Sequence, residues 1–150
     1  MKALLVLPIL LCVCLCVQGQ LRKQQFSFPN AGEYMVLKAD FHQHTVFSDG
    51  QVWPTVRVVE AYEEDLDIIA LSEHIEYRPH LNEFISYDHN HSFDLAQEEA
   101  KRYGVLLIRS AEVTRAMAPG HLNVIDIKDA NPLEKFVNKQ DSRDASTVIE

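Results

Sequence analysis

The sequence predicts an α/β fold with parallel strands and crossover helices, on three observations. Apolar runs of strand length recur along the chain, helical patterns separate them, and no internal repeat or low-complexity tract breaks the alternation. A length of 150 residues with 47% hydrophobic residues holds the chain to one globular domain and excludes a disordered or collagenous one. The formal charge of −8 comes with only two adjacent basic pairs, Arg22-Lys23 and Lys101-Arg102, so stable duplex nucleic-acid binding is not expected. An acidic chain is instead suited to divalent cations, which relieve the repulsion between clustered carboxylates.

The first element stands outside the fold. Met1-Lys2 supplies a positive start, residues 3–17 form an apolar run, and Val17-Gln18-Gly19 provides a cleavage site before Gln20. Residues 1–19 therefore read as a signal peptide, with a secreted or periplasmic location. The run is shorter than the ~20 residues that span a bilayer, which argues against a permanent membrane anchor. Cys12, Cys14 and Cys16 all lie in this segment, so residues 20–150 carry no disulfide, thiolate ligand or cysteine nucleophile. Any metal must be held by histidine and carboxylate.

Residues 34–41 read as a first strand ending at a His-rich loop, and Pro54 occupies the first-turn position of a helix over 55–65. Residues 67–72 form a short buried strand. A polar and aromatic loop over 73–90 follows, then a helix with Ser92 as N-cap and Gly104 at its end. Residues 105–110 and 122–127 are two further strands, all four expected to run parallel.

In such folds chemistry gathers at the carboxyl ends of strands. The first strand brings His42, His44 and Asp49 there, the second Glu73 and His74, the third Glu112, and His121 opens the fourth. His42 and His44, two apart on an extended segment, point to one face and can reach one ion. Gly50 lets the loop turn and bring Asp49 back.

Residues 40–50, Asp-Phe-His-Gln-His-Thr-Val-Phe-Ser-Asp-Gly, resemble the opening motif of the polymerase-and-histidinol-phosphatase (PHP) family, His-x-His-Thr-x-x-Ser-Asp-Gly. The strand end at Glu73-His74 resembles that family's Asp-His, Ser110-Ala111-Glu112 its Gly-x-Glu, and Gly120-His121 its strand-opening His. The resemblance implies a distorted (βα)7 TIM-like barrel of the PHP type holding two or three divalent ions, Mn, Fe or Zn, and hydrolysing phosphoesters with a metal-bound hydroxide. By the same resemblance His42 and His44 bind one ion, Glu112 bridges to a second held by His121, and Asp49 with His74 binds a third. Glu112, Asp49 and His74 are the implied catalytic residues.

Three departures stand out. Glu73 replaces the usual Asp, either orienting a neighbouring ligand or binding metal with a longer reach. Ala111 replaces a Gly. The family's late His and final Asp-x-His have no counterpart after His121, and residues 144–150 open a helix at Asp144, so residues 20–150 are expected to be the amino-terminal part of a truncated domain.

Around this cluster, Arg78 and Arg115 are the candidates for gripping a substrate phosphate. Arg78 lies in a loop whose composition also suits plain solvation, and Arg115 could only offset local negative charge. His80, His89 and His91 are weaker candidates in the same loop; Trp53 beside Pro54 is expected to pack. The expected function is exported hydrolysis of a small phosphorylated substrate. The alternatives are a metal-dependent amidohydrolase, which also begins with His-x-His, and a non-catalytic exported metal-binding protein.

Overall fold

The computed structural model describes residues 25–114 and 120–137. The expected signal peptide, Arg115 and the helix expected at Asp144 lie outside the described residues.

The centre of the fold is β2 (Ile68–Leu71), whose last three residues are buried. A continuous apolar strand is what a position covered on both faces requires. It pairs in parallel with β1 (Ala39–Gln43) on one side and with β3 (Leu106–Val113) on the other. The helix α1 (Pro54–Glu63) connects β1 to β2, and α2 (His91–Tyr103) connects β2 to β3. The two helices pack on each other and on the sheet through Val58, Ala61, Ile69, Leu71, Ala96, Ala100 and Val105. The alanines let helix and strand backbones approach closely.

The expected first strand, 34–41, is shifted in the structure. Tyr34 and Met35 are exposed, and pairing begins where the Asp67 and Ile68 amides reach the Lys38 carbonyl. Pairing also pulls the third strand onward through Glu112 and Val113, because Glu112 bonds backbone to backbone with Glu73 and Ile75.

The fourth strand corrects the expectation of a wholly parallel sheet. The strand β4 (Leu122–Ile125) runs antiparallel to β3, with Glu112 opposite Asn123. Residues 114–121 are too few for the crossover of a dozen or more residues that a parallel partner needs, so the chain turns back as a hairpin. The reversal puts the start of β4 beside the end of β3. A second apolar cluster, Ile75, Ala111, Val113, Ala130 and Leu133, covers this side of the sheet.

Two ends of α2 show how local signals were redirected. Gly104 closes the helix in the left-handed region at φ 70, its amide bonded to the Ala100 and Lys101 carbonyls, as expected of a C-terminal glycine. The N-cap is Asn90, with Ser92 buried inside the first turn. Asn90 makes no capping bond because its carboxamide is occupied elsewhere. Asp88-His89-Asn90 and Asp129-Ala130-Asn131 clasp each other with near two-fold symmetry. The His89 amide donates to Asn131 Oδ1 and the Ala130 amide to Asn90 Oδ1, each at 2.9 Å. The two side-chain amides each donate to both carboxylates, at 2.8–3.0 Å.

The clasp carries a pH signature. The Asn90 amide and the Asn131 carboxamide hold the Asp88 carboxyl below its ordinary range, and Asn90 does the same for Asp129. A carboxyl whose folded pKa is depressed stabilises the fold above its unfolded pKa and loses that contribution as pH falls through the folded value. Asn131→Ala should therefore lower stability at neutral pH, read by denaturant unfolding. The gap between variant and wild type should narrow as pH falls below the ordinary carboxyl value of 3.8, leaving only the part due to the His89 amide. An equal gap at every pH would show that the clasp does not depend on ionised Asp88.

Candidate metal centre

Glu112 is the hub. It lies in β3, its side chain is 2% exposed, and its amide and carbonyl are tied to Glu73 and Ile75, so its carboxylate has little freedom. Its Oε2 faces His42 Nε2 at 2.6 Å and His44 Nε2 at 3.1 Å, while Oε1 meets His121 Nδ1. His74 Nδ1 is 3.7 Å from Oε2. One carboxylate thus has histidines on both of its oxygens, supplied by β1, by the end of β2 and by the residue opening β4. The parallel pairs carry His42, His44 and His74 to one edge, and the reversed β4 returns His121 to that same edge.

The register of β1 is irregular between Asp40 and Gln43, and Asp40 Oδ1 accepts the His42 amide at 3.0 Å. This irregularity re-aims the strand end, and the two imidazoles converge with Nε2 atoms 3.0 Å apart. His42, His44 and Glu112 form one group of atoms able to hold an ion, and His44, Asp49 and His74 form another. His44 is common to both, its Nε2 towards Glu112 and its Nδ1 3.4 Å from Asp49 Oδ1. The resemblance places Asp49 with His74 alone, whereas the fold also sets the ring of His44 against that of His74, centroids 4.6 Å apart.

The ionisation of the cluster follows from its burial. Desolvation, then the neighbouring His74, pushes His44 below its ordinary value, outweighing the nearby carboxylates. The neutral ring with its lone pair is the form that binds metal. Burial pushes Glu112 up, but the hydrogen bond from His42, the field of His74 and the bond from His121 together hold it below its ordinary range.

Four residues that the sequence reading gave no role frame the centre. The 45–50 loop is bound to Glu73, which is buried and whose two oxygens take the donors of that loop. Glu73 Oε1 accepts the Thr45 hydroxyl at 2.5 Å, and Oε2 accepts the Thr45 amide at 3.1 Å and the Ser48 hydroxyl at 2.6 Å. Of its two expected alternatives, the structure places Glu73 as a support for neighbouring residues. Arg57 on α1 donates from Nε to the His44 carbonyl at 2.9 Å, and Thr114 Oγ1 meets His74 Nδ1 at 2.5 Å. Thr45 and Ser48 could have been suspected from their fixed places in the motif. Arg57 and Thr114 carry no such signal, because only the packing of α1 and the course of β3 bring them near.

Gly50 is required for a different reason from the one expected. Its φ is not in the left-handed region; instead a Cβ there would lie 2.6 Å from the Thr45 amide nitrogen, closer than non-bonded atoms approach. The loop closes on the His44–Thr45 peptide because residue 50 has no side chain.

The remaining candidates lie apart from the cluster. Arg78 donates to the Ser86 carbonyl and to the Tyr87 carbonyl at 3.0 Å, bracing its own loop. His80 stacks on Phe84 and meets Glu83, His91 meets Ser86 and the edge of Phe47, and His89 is largely buried. Trp53 packs against Phe47, as expected. Among the described residues no helix is long and apolar enough to cross a membrane.

No family profile and no curated protein matches the chain. Solved structures do. A two-domain protein from Bacteroides vulgatus containing a predicted PHP-like metal-dependent phosphoesterase is 55% identical, with a TM-score of 0.73 over 77% of this chain and 35% of its own. The chain is similar to a PHP-like metal-dependent phosphoesterase. It shares with that relative an α/β fold whose sheet curls as half of a barrel, and it spans about a third of the relative's length. A protein from Bifidobacterium adolescentis described as a metal-dependent phosphoesterase is 25% identical, with a TM-score of 0.44 over 59% of this chain and 27% of its own. An amidohydrolase from Chromobacterium violaceum is 21% identical, with a TM-score of 0.49 over 66% of this chain and 31% of its own.

Gly50→Ala tests the loop. The added methyl must displace the His44–Thr45 peptide, so zinc affinity in competition with a chelator should fall by ~10-fold or more. Circular dichroism should show the fold retained. An unchanged affinity would mean that the position of His44 does not depend on this approach.

Proposed function

We propose that this protein is an exported metal-dependent phosphoesterase acting on a small phosphorylated substrate. The observation that carries the reading is the buried Glu112 carboxylate with histidines from three strand ends on its two oxygens. Nitrogen and oxygen donors at this density, without a thiolate, suit Mn, Fe or Zn. His42, His44 and Glu112 would hold one ion, Glu112 and His121 a second, and Asp49 with His74 a third. Ions bound there supply Lewis acidity towards phosphate oxygens and make a water nucleophilic near neutral pH.

The chain's own residues then have defined tasks. Glu112 presents Oε2 to His42 and His44 and Oε1 to His121, and its charge would offset the repulsion between cations held beside it. Burial lowers the basicity of His44, so a metal ion would compete with a weaker hold on the proton. Asp49, with its side chain 48% exposed, is the acidic group of the cluster most open to a substrate or a water. Arg78, although it braces its loop, and Arg115 remain the proposed phosphate contacts.

Export is inferred from the amino-terminal apolar run. The finer architecture proposed is the distorted (βα)7 barrel, supported by the parallel β1–β2–β3 order and the helices between these strands.

Elemental analysis of the reconstituted protein should find two or more equivalents of divalent metal; less than half an equivalent would remove the centre. Glu112→Gln keeps the shape and removes the charge, and should lower phosphomonoester turnover by ~10²-fold or more. His80→Ala should do far less. Equal effects, with folding intact, would mean that the centre lies elsewhere.

A further inference from the structure

We infer that Glu73, acting through Ser48, fixes the tautomer of His44, so that Nδ1 carries the hydrogen and Nε2 is left bare towards Glu112. Glu73 is then a positioning residue and Ser48 the relay between it and the ring. The consequence for ion binding rests on the function proposed above; the tautomer itself does not.

The derivation is a count of hydrogens. Glu73 is 6% exposed, and as a carboxylate it has no hydrogen to offer. Its Oε2 is 2.6 Å from Ser48 Oγ, so the single hydroxyl hydrogen of Ser48 is committed to Glu73. Ser48 Oγ also lies 3.2 Å from His44 Nδ1. With its hydrogen spent, the hydroxyl can only accept there, so Nδ1 must donate. Asp49 Oδ1, 3.4 Å from the same nitrogen, is a second acceptor on the same side of the ring. A neutral imidazole has one N–H: Nδ1 faces two acceptors, whereas Glu112 Oε2 beside Nε2 already accepts the closer His42 Nε2–H at 2.6 Å, so the hydrogen goes to Nδ1 and Nε2 keeps its lone pair.

That lone pair points where the other donors converge, 3.1 Å from Glu112 Oε2 and 3.0 Å from His42 Nε2. In the opposite tautomer a hydrogen on Nε2 would bond to Glu112 and block the position. Free imidazole side chains favour that opposite tautomer, so the protein has to impose this one. The replacement of Asp by Glu at residue 73 gains a purpose here. The side chain spans from the Thr45 amide and hydroxyl to Ser48, and so fixes both ends of the turn that carries His44.

The experiment is long-range 1H–15N correlation spectroscopy of the full chain, labelled with 15N-histidine, stripped of metal and held at mildly alkaline pH. His44 is assigned by the signal lost in His44→Gln. The wild type should show His44 protonated at Nδ1. Ser48→Ala and Glu73→Leu should each move the ring towards the Nε2–H form and weaken zinc binding, measured by chelator competition, about 10–100-fold. If either variant does not fold, the wild-type tautomer and the other variant still decide. A wild-type His44 protonated at Nε2, or a tautomer indifferent to the substitutions, overturns the relay. A shifted tautomer with unchanged zinc affinity overturns instead the placing of an ion at His44, and with it that part of the proposed function.

Discussion

Burying a carboxylate obliges a protein to surround it with donors or cations, because removing the charge from water is costly unless something replaces the solvent. Glu112 imposes that obligation at the carboxyl edge of this sheet. The end of β1 is irregular so that His42 and His44 reach one oxygen, and β4 turns back so that His121 reaches the other. His74 comes to its place because its backbone bridges to Glu112 itself. Each of these features makes sense as a response to one charge that cannot leave the sheet.

Glu73 stands just past the end of the neighbouring strand with the same charge and is compensated differently. Neutral donors from Thr45 and Ser48 surround it, whereas imidazoles surround Glu112. A carboxylate satisfied by hydroxyl and amide hydrogens is closed to further partners. One faced by imidazoles, whose N–H hydrogens a metal ion can replace, is open to a cation. The His-x-His-Thr-x-x-Ser-Asp-Gly segment serves both: its histidines and aspartate face the cluster, its threonine and serine clothe Glu73, and its glycine gives the turn room to close.

The surroundings of the site hold this pair of carboxylates in register. Arg57 ties α1 to the His44 carbonyl, Arg78 gathers the loop after β2, and the Asp-x-Asn clasp fastens that loop to the segment after β4. Phe47 stands between Trp53 and His91, joining the metal loop to the starts of both helices.

The sequence by itself determined the alternation of strands and helices and the stop at Gly104. It also showed which histidines and carboxylates fall at strand ends, since periodicity, glycine conformation and a short motif are local properties. Only the tertiary structure decided the direction of β4, the sharing of His44 between two groups of ligands, and the clasp that removed Asn90 from capping. It alone gave Glu73 to Thr45 and Ser48, and it showed that Gly50 is there for space rather than for backbone freedom. The reason is physical. A carboxylate and an imidazole have the same chemistry wherever they stand in the chain, and whether they meet each other, a hydroxyl or solvent depends on distances of about 3 Å, the range over which a hydrogen bond holds, which only packing sets.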